Sequence, residues 1–231
     1  MIDKKLQAAR RAVEFIEDGM VLGLGTGSTT RLAVDEIGKL VQQGYQLVGV
    51  PTSVETERQA RSLGIPLTTL EEVKQLDLTI DGADEVDPQF RLIKGLGGAL
   101  VREKIVAYHS KREIIIVDES KLVDKLGVRT ALPVEVVRFS HGRTKEAIES
   151  LGCTATLRGG ATPFITDNSN YIYDCKFDGI DDPKELEAEL DAIPGVVESG
   201  LFLGLASQVV VGTDKGAEVR EKSIRTAGRP A

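Results

Sequence analysis

Two cysteines and two histidines in 231 residues leave little material for cross-links or metal centres. Cys153 and Cys175 stand 22 positions apart, outside any CxxC pattern. The simplest reading is a reduced cytoplasmic chain with two unpaired thiols. Neither His109 nor His141 has a second histidine at ligand spacing, so no histidine-based metal site is expected. His109 is placed near a helix end and His141 in a loop, both without function. No run of about 18 apolar residues occurs, so no membrane span is expected. The stretch MIDKKLQAARRAVEFIEDGM lacks a continuous apolar core and a small-residue cleavage site, which argues against a signal peptide. Positive charge is also short, with 29 Lys and Arg against 36 Asp and Glu, a net charge of −7. General attraction to nucleic acid or an anionic membrane is thereby excluded. An anionic ligand has to be caught by a local site.

The rest of the composition, 41% hydrophobic and 28% charged, suits a soluble globular chain with a substantial core. Leu6, Ala9, Val13 and Ile16 recur at helical spacing, which predicts a helix over 3–18 ended by Gly19. MVLGLG reads as a short buried strand, and STTRLAVDEIGKLVQQ as a helix opened by a Ser/Thr cap. Strand and helix then alternate through QLVGV, a helix from Ser53 to about Leu63, LDLTI, a helix from about Ala99 to Ser110, and EIIIVD. That order predicts a parallel, Rossmann-like α/β sheet covered on both faces. Near residue 130 the rhythm changes. VEVVRF, a helix near Thr144–Leu151, CTATLR, NYIYDCKF and a helix near Pro183–Ile193 give β-α-β-β-α, a split βαβ (ferredoxin-like) α+β unit. The final run LFLGLASQVVVG is apolar enough to return to the first sheet. The expected domains are therefore 1–130 plus 205–231, and a smaller α+β domain over 131–204 inserted before the C-terminal strand.

GLGTGST, residues 23–29, joins a strand to a helix. Glycines let the backbone approach a ligand, and helix N-terminal amides with Ser28 and Thr29 hydroxyls suit a phosphate. A tight turn with a capping serine would explain the same residues. The dinucleotide fingerprint fails, because Ser28 stands where a third glycine is needed and GVPTS lacks the ribose-binding acid. No GKS or GKT follows, so a nucleoside-triphosphate loop is excluded too.

DGADEVD, residues 81–87, directly follows a strand, and ligands of open parallel sheets bind at the carboxyl ends of strands. Asp81 and Asp84 lie at that edge. Asp87-Pro88 reads as turn chemistry. Lys94 follows in KGLGGALVREKI, with Gly95, Gly97 and Gly98 giving backbone room, and Glu103 lies one turn into the next helix. Arg102 and Lys104 are expected to pair with surface acids. Any one of these carboxylates could be a solvated surface charge; the ordered set is harder to explain that way. A phosphate cradle beside a lysine and several carboxylates suits proton transfer next to a carbonyl, with the ammonium balancing charge on oxygen. A metal-assisted hydride shift is the competing isomerase mechanism.

GLGTGST, DGADEVD, KGLGGALVREKI and DESKLVDKLG together resemble the ribose-5-phosphate isomerase type A family, in order and spacing across essentially the whole chain. The resemblance implies interconversion of ribose 5-phosphate and ribulose 5-phosphate through an enediolate, without metal or other cofactor. It also implies a homodimer or homotetramer. By that resemblance Thr26, Gly27, Ser28 and Thr29 hold the substrate, chiefly its phosphate. Asp81, Gly82, Ala83 and Asp84 contact sugar hydroxyls, with Asp81 assisting ring opening. Lys94, Gly95, Leu96 and Gly97 bind the sugar and stabilise the enediolate, and Glu103 is the base. Lys121 matches a substrate contact, and Lys5 is a further phosphate candidate. Members commonly have glycine where this chain has Leu96, so only its backbone can make that contact directly.

The alternative reading is a sugar-phosphate sensor, since some bacterial repressors carry an effector domain of this fold that binds without turnover. Such repressors also need a DNA-binding module, and residues 1–18 supply one helix only. A Schiff-base lyase acting through Lys94 is a second alternative, which borohydride trapping with substrate distinguishes.

Overall fold

Helix α1 (Lys4–Val13) opens on Asp3, whose carboxylate accepts the Lys5 and Leu6 amides, and buries Ala8, Ala9, Ala12 and Val13. The computed structural model describes residues 3–222. The first expected domain also takes in residues 1, 2 and 223–231, which lie outside the described residues. The helix expected to reach residue 18 stops at Val13, because the Phe15 and Ile16 amides bond back three residues, to Ala12 and Val13, and tighten the last turn.

β1 (Val21–Leu24), α2 (Ser28–Gln42), β2 (Val48–Pro51), α3 (Val54–Ser62) and β3 (Leu78–Gly82) then alternate. Ser53 caps α3 by accepting the Thr56 amide at 3.1 Å. The Ser/Thr cap expected for α2 is absent. Gly27 is its N-cap, with no side-chain hydrogen bond, and Ser28 is already helical. The short hairpin β4 (Glu85–Val86) and β5 (Leu92–Ile93) leads to α4 (Leu100–Tyr108), and β6 (Glu113–Asp118) follows.

β7 (Leu132–Val136), α5 (His141–Glu149), β8 (Thr154–Leu157), β9 (Tyr171–Lys176), α6 (Pro183–Asp191) and β10 (Val196–Ser199) come next. Their strands form an antiparallel sheet in the order β10-β7-β9-β8, the split βαβ arrangement. The expected strand VEVVRF sits two residues too late: pairing with β9 ends at Val136 opposite Tyr171, and Phe139 is left 86% exposed. His141 starts α5; it is not in a loop.

The apolar run after residue 200 serves two sheets. β11 (Leu201–Phe202) pairs with β5, whereas β12 (Gln208–Thr213) lies parallel to β6. An antiparallel edge strand, β13 (Gly216–Glu221), completes the main sheet in the order β13-β12-β6-β3-β1-β2. Helix α1 lies against β12, where a Cβ on Gly212 would sit 1.8 Å from the Lys4 carbonyl oxygen. Alternation divides the core cleanly. Leu22, Leu24, Ile80, Ile114 and Ile116 face α1 and α2, while Ile115, Val117 and Val209 face α4 and the small hairpin. Each such fully buried side chain contributes about 1.5–3 kcal/mol, which makes the sheet a rigid platform. Asp81 and Glu113 are charged residues on the α4 side. Among the described residues no helix is long and apolar enough to cross a membrane.

Candidate active site

β1 and β3 are paired with Leu24 opposite Ile80, so the turns that leave them emerge side by side. Helix α2 then covers one sheet face and α4 the other, which opens a crevice between the two turns. Gly25 is required at the first turn, because a Cβ there would lie 2.1 Å from Asp81 Oδ1. That approach lets Asp81 Oδ1 accept the Thr26 amide at 3.1 Å and the Gly82 amide at 2.7 Å. The Thr26 hydroxyl faces away, 2.7 Å from Thr52 Oγ1 and 2.8 Å from Ser53 Oγ. Gly27, at φ 120°, swings the chain into α2 and leaves the first helical amides uncapped.

Uncapped amides at a helix N-terminus attract anions. Here two cations border them. Lys5, brought in by α1, donates to Ser28 Oγ at 2.9 Å. Lys121 stands on the 3₁₀ turn Glu119–Lys121 after β6 and lines the same cavity. Amides, the Ser28 and Thr29 hydroxyls and two ammonium groups thus converge on one corner, an arrangement suited to an anion in a chain of net negative charge.

That corner opens into a cavity of about 100 Å³, walled by Lys5, Thr26, Gly27, Ser28, Thr29, Thr30, Gly82, Ala83, Asp84, Lys94, Gly95, Gly97, Glu103 and Lys121. Larger concavities of about 500 and 420 Å³ lie away from these residues. The small cavity is lined by Lys94 and Glu103, both buried and both shifted in their proton affinity, the usual mark of a reacting site. Two residues named from the sequence are not on its wall. Asp81 is fully buried behind Lys94. The Leu96 side chain points outward, 48% exposed, while its amide donates to Asp84 Oδ2 at 3.0 Å. The left-handed positions of that loop are Gly95 and Gly98, so leucine costs nothing at 96.

Lys94 is 1% exposed. Its Nζ donates to the Gly82 carbonyl and, at 3.3 Å, to Glu103 Oε1; it lies 3.0 Å from Asp81 Oδ2, near enough to pair though not aligned as a hydrogen bond. Burial works against the ammonium, but Asp81 and then Glu103 outweigh it and hold Lys94 charged, well above the ordinary lysine range. Glu103 is pushed well above the carboxylate range, chiefly by burial, with Lys94 opposing and Asp81 adding. Its Oε2 is buried without a hydrogen-bond partner among the described residues. A raised, half-satisfied carboxyl on the cavity wall has the proton affinity and the free lone pair of a general base. Burial likewise raises Asp84, against the pull of the Leu96 amide, Lys94, Lys121 and Arg158.

Other sequence expectations find their places. Arg102 lies 3.7 Å from Asp167, and Lys104 lies 2.6 Å from Glu198. Asp87 accepts the Gln89 and Arg91 amides in its turn. His109 caps the end of α4, and His141 Nδ1 is 2.7 Å from the Tyr173 hydroxyl. Sequence reasoning missed Arg158, which reaches from the end of β8 to the Gly95 carbonyl at 2.9 Å and the Leu96 carbonyl at 3.2 Å while paired with Asp174. It also missed Thr30, 3.4 Å from Asp81 Oδ1, and Glu113. Nothing local marks them: Arg158 meets Gly95 63 positions away, Thr30 meets Asp81 51 positions away, and Glu113 lies 19 positions from Lys94.

A phosphate corner, a buried lysine and a raised carboxyl on one small cavity define a proton-transfer enzyme for a phosphorylated carbonyl compound. Residues 48–216 match the family model of ribose 5-phosphate isomerase A (phosphoriboisomerase A). A ribose-5-phosphate isomerase A from Gloeobacter violaceus is 56% identical over 217 residues, 93% of this chain and 94% of that protein. The ribose 5-phosphate isomerase A structure from Methanocaldococcus jannaschii superposes with a TM-score of 0.91 at 44% identity, covering 95% of this chain and 99% of that one. A D-ribose-5-phosphate isomerase in complex with phospho-erythronic acid has the same TM-score and identity, over 94% and 97% of the two chains. The chain belongs to the ribose 5-phosphate isomerase A family.

Proposed function

We infer that the cavity holds an open-chain pentose phosphate, its phosphate on the α2 N-terminus and its C1–C2 end against Glu103 and Lys94. The chain is an aldose–ketose isomerase that interconverts D-ribose 5-phosphate and D-ribulose 5-phosphate. The observation that carries the assignment of parts is the unpartnered Glu103 Oε2, buried beside the Lys94 ammonium on the wall of the phosphate-binding cavity. Glu103 takes the proton from C2, Lys94 stabilises the negative oxygen of the enediolate, the hydroxyl proton passes from O2 to O1, and Glu103 returns its proton to C1, leaving the carbonyl at C2. Asp84 faces the cavity and suits the sugar hydroxyls. Asp81 neutralises and aims Lys94; the ring-opening role that the resemblance implies requires it to act past that ammonium. A four-carbon phospho-acid, such as the one bound by the similar structure, places a carboxylate where the enediolate would carry its charge.

Within this reading, residues 1–130 with 205–231 form the catalytic domain, and 131–204 the smaller domain that braces the glycine loop through Arg158. The enzyme works in the cytoplasm as a homodimer or homotetramer, an assignment supported by apolar surface such as Phe139 and Tyr108, 86% and 75% exposed. Light scattering after gel filtration checks the oligomer. The decisive assay incubates purified, chelator-treated protein with ribose 5-phosphate and follows ketose formation. Full activity is expected. Restoration of lost activity by a divalent ion would instead favour a hydride shift, and binding without turnover would favour the sensor.

The phosphate corner has its own test. Ser28→Ala combined with Thr29→Ala removes two hydroxyls and leaves the helix amides. At about 1.5–3 kcal/mol per hydrogen bond to a charged group, each loss weakens binding by roughly one to two decades. KM and the inhibition constant of inorganic phosphate are therefore expected to rise together, with kcat little changed. Unaltered phosphate inhibition places the phosphate elsewhere.

A further inference from the structure

Glu113 is a buried carboxyl facing the Asp81 and Lys94 charges that the mechanism above leaves idle. It begins β6, paired with Thr79, so it lies on the α4 side of the sheet, the side that carries Asp81. It is 1% exposed, and neither carboxyl oxygen has a hydrogen-bond partner among the described residues. Neighbouring hydroxyls are engaged elsewhere. Thr79 Oγ1 is 2.6 Å from Ser110 Oγ, which donates to the Val106 carbonyl, and Ser207 Oγ bonds the Glu113 backbone. An ionised carboxylate buried in this way is costly, whereas a protonated one is tolerable.

The charged groups on that side of the sheet are few. β3 supplies Asp81, the turn after β5 supplies Lys94, and α4 supplies Glu103 and Lys104. Lys104 is itself paired with Glu187 and Glu198. Arg112 bonds Gln208 and lies over Phe15, on the opposite side. One ammonium, Lys94, is thus left facing three buried carboxyls. If all three ionise, the centre carries two uncompensated negative charges in a desolvated space. The group without any hydrogen bond is the one that keeps its proton.

We propose that Glu113 is a positioning residue for the isomerisation: protonated, it leaves the Lys94 ammonium to Asp81, Glu103 and the enediolate oxygen, and its ionisation in alkaline solution switches the centre off. The inference rests on the isomerase reading of the site. Burial pushes the Glu113 carboxyl up to about 8, with Lys94 opposing and Asp81 adding. Above that pH a third negative charge draws on Lys94, holds a proton on Glu103 and repels the anionic intermediate. All three effects lower kcat.

The test measures kcat at saturating substrate at pH 7 and pH 9 for the parent, Glu113→Gln and Glu113→Leu. The parent is expected to fall about tenfold, the change in protonated fraction across one unit either side of a group titrating at about 8. In both variants the fall is expected to shrink below about twofold. A parent without the fall, or variants that keep it, overturns the proposal; absence of parent activity at pH 7 would instead count against the isomerase reading. Infrared spectra in the Glu103→Gln background give a check that needs no Glu113 variant. A carboxylic-acid C=O band present at pH 7 and lost by pH 9 is expected, and its absence overturns the proposal.

Discussion

Glu103→Gln is expected to lower kcat by about 10²–10⁴, the usual contribution of general base catalysis. That is about 3–5 kcal/mol of barrier at 1.36 kcal/mol per decade. The amide keeps the shape of the side chain, and its oxygen can still accept from Lys94, so substrate binding should persist. What disappears is the basic Oε2, which is buried and unpartnered beside the cavity. Exchange of solvent deuterium into C1 or C2 of the bound sugar should therefore vanish with turnover. Asp84→Asn, whose parent oxygen is held by the Leu96 amide at 3.0 Å, should lose part of its activity and keep exchange. The reverse pattern, with exchange surviving in Glu103→Gln and lost in Asp84→Asn, assigns the base to Asp84. The raised affinity of Glu103 for its proton also has a sign. The base works only when ionised, so kcat should decline as pH falls through a midpoint above the ordinary carboxylate range.

Lys94→Ala is expected to cost about 10²–10³ in kcat, the scale of losing one donor to a developing oxyanion. The geometry adds a second loss. Lys94 is the ammonium that compensates Asp81 and Glu103, 3.0 and 3.3 Å away. Without it the buried Glu103 carboxyl binds its proton more tightly, and a protonated Glu103 is no base. Breaking a buried ion pair typically destabilises by about 3–5 kcal/mol, so thermal unfolding should occur at a lower temperature in the same variant. Lys94→Arg should not restore the rate, because a planar fork cannot occupy the space of a compact ammonium wedged against the Gly82 carbonyl. A raised KM with near-normal kcat would reduce Lys94 to a binding group.

The parts of this site that were legible from sequence are those carried by strand-to-helix turns. Gly25 and Gly27, Asp81 and Asp84, and Lys94 and Glu103 each stand at a fixed offset from an apolar run, so the alternation that predicts the sheet also places them at its edge. Cap chemistry was less legible. Ser28 has the composition of an N-cap, but Gly27 takes that position and Ser28 is free to bond Lys5. Arg158 was invisible because its contacts with the glycine loop are to carbonyl oxygens, which carry no sequence identity. Glu113 begins the apolar strand EIIIVD and looks like a solvated strand end. In the folded chain it is instead 1% exposed on the face of the sheet that carries Asp81.

The seat of α1 against β12 also sets an order of events during synthesis. The helix that carries Lys5 is made long before the strand on which it rests, which begins at Gln208, 195 residues after α1 ends at Val13. At about 5–20 residues per second, that interval lasts on the order of 10–40 s. Through it the alanine face of α1 lacks part of its cover, and the fit between the Lys4 carbonyl and Gly212 cannot form. A nascent chain can thus build the Asp81, Lys94 and Glu103 cluster while its phosphate corner is still unfinished. The seat of α1, and with it the position of Lys5 beside Ser28, is complete only once β12 has joined the sheet.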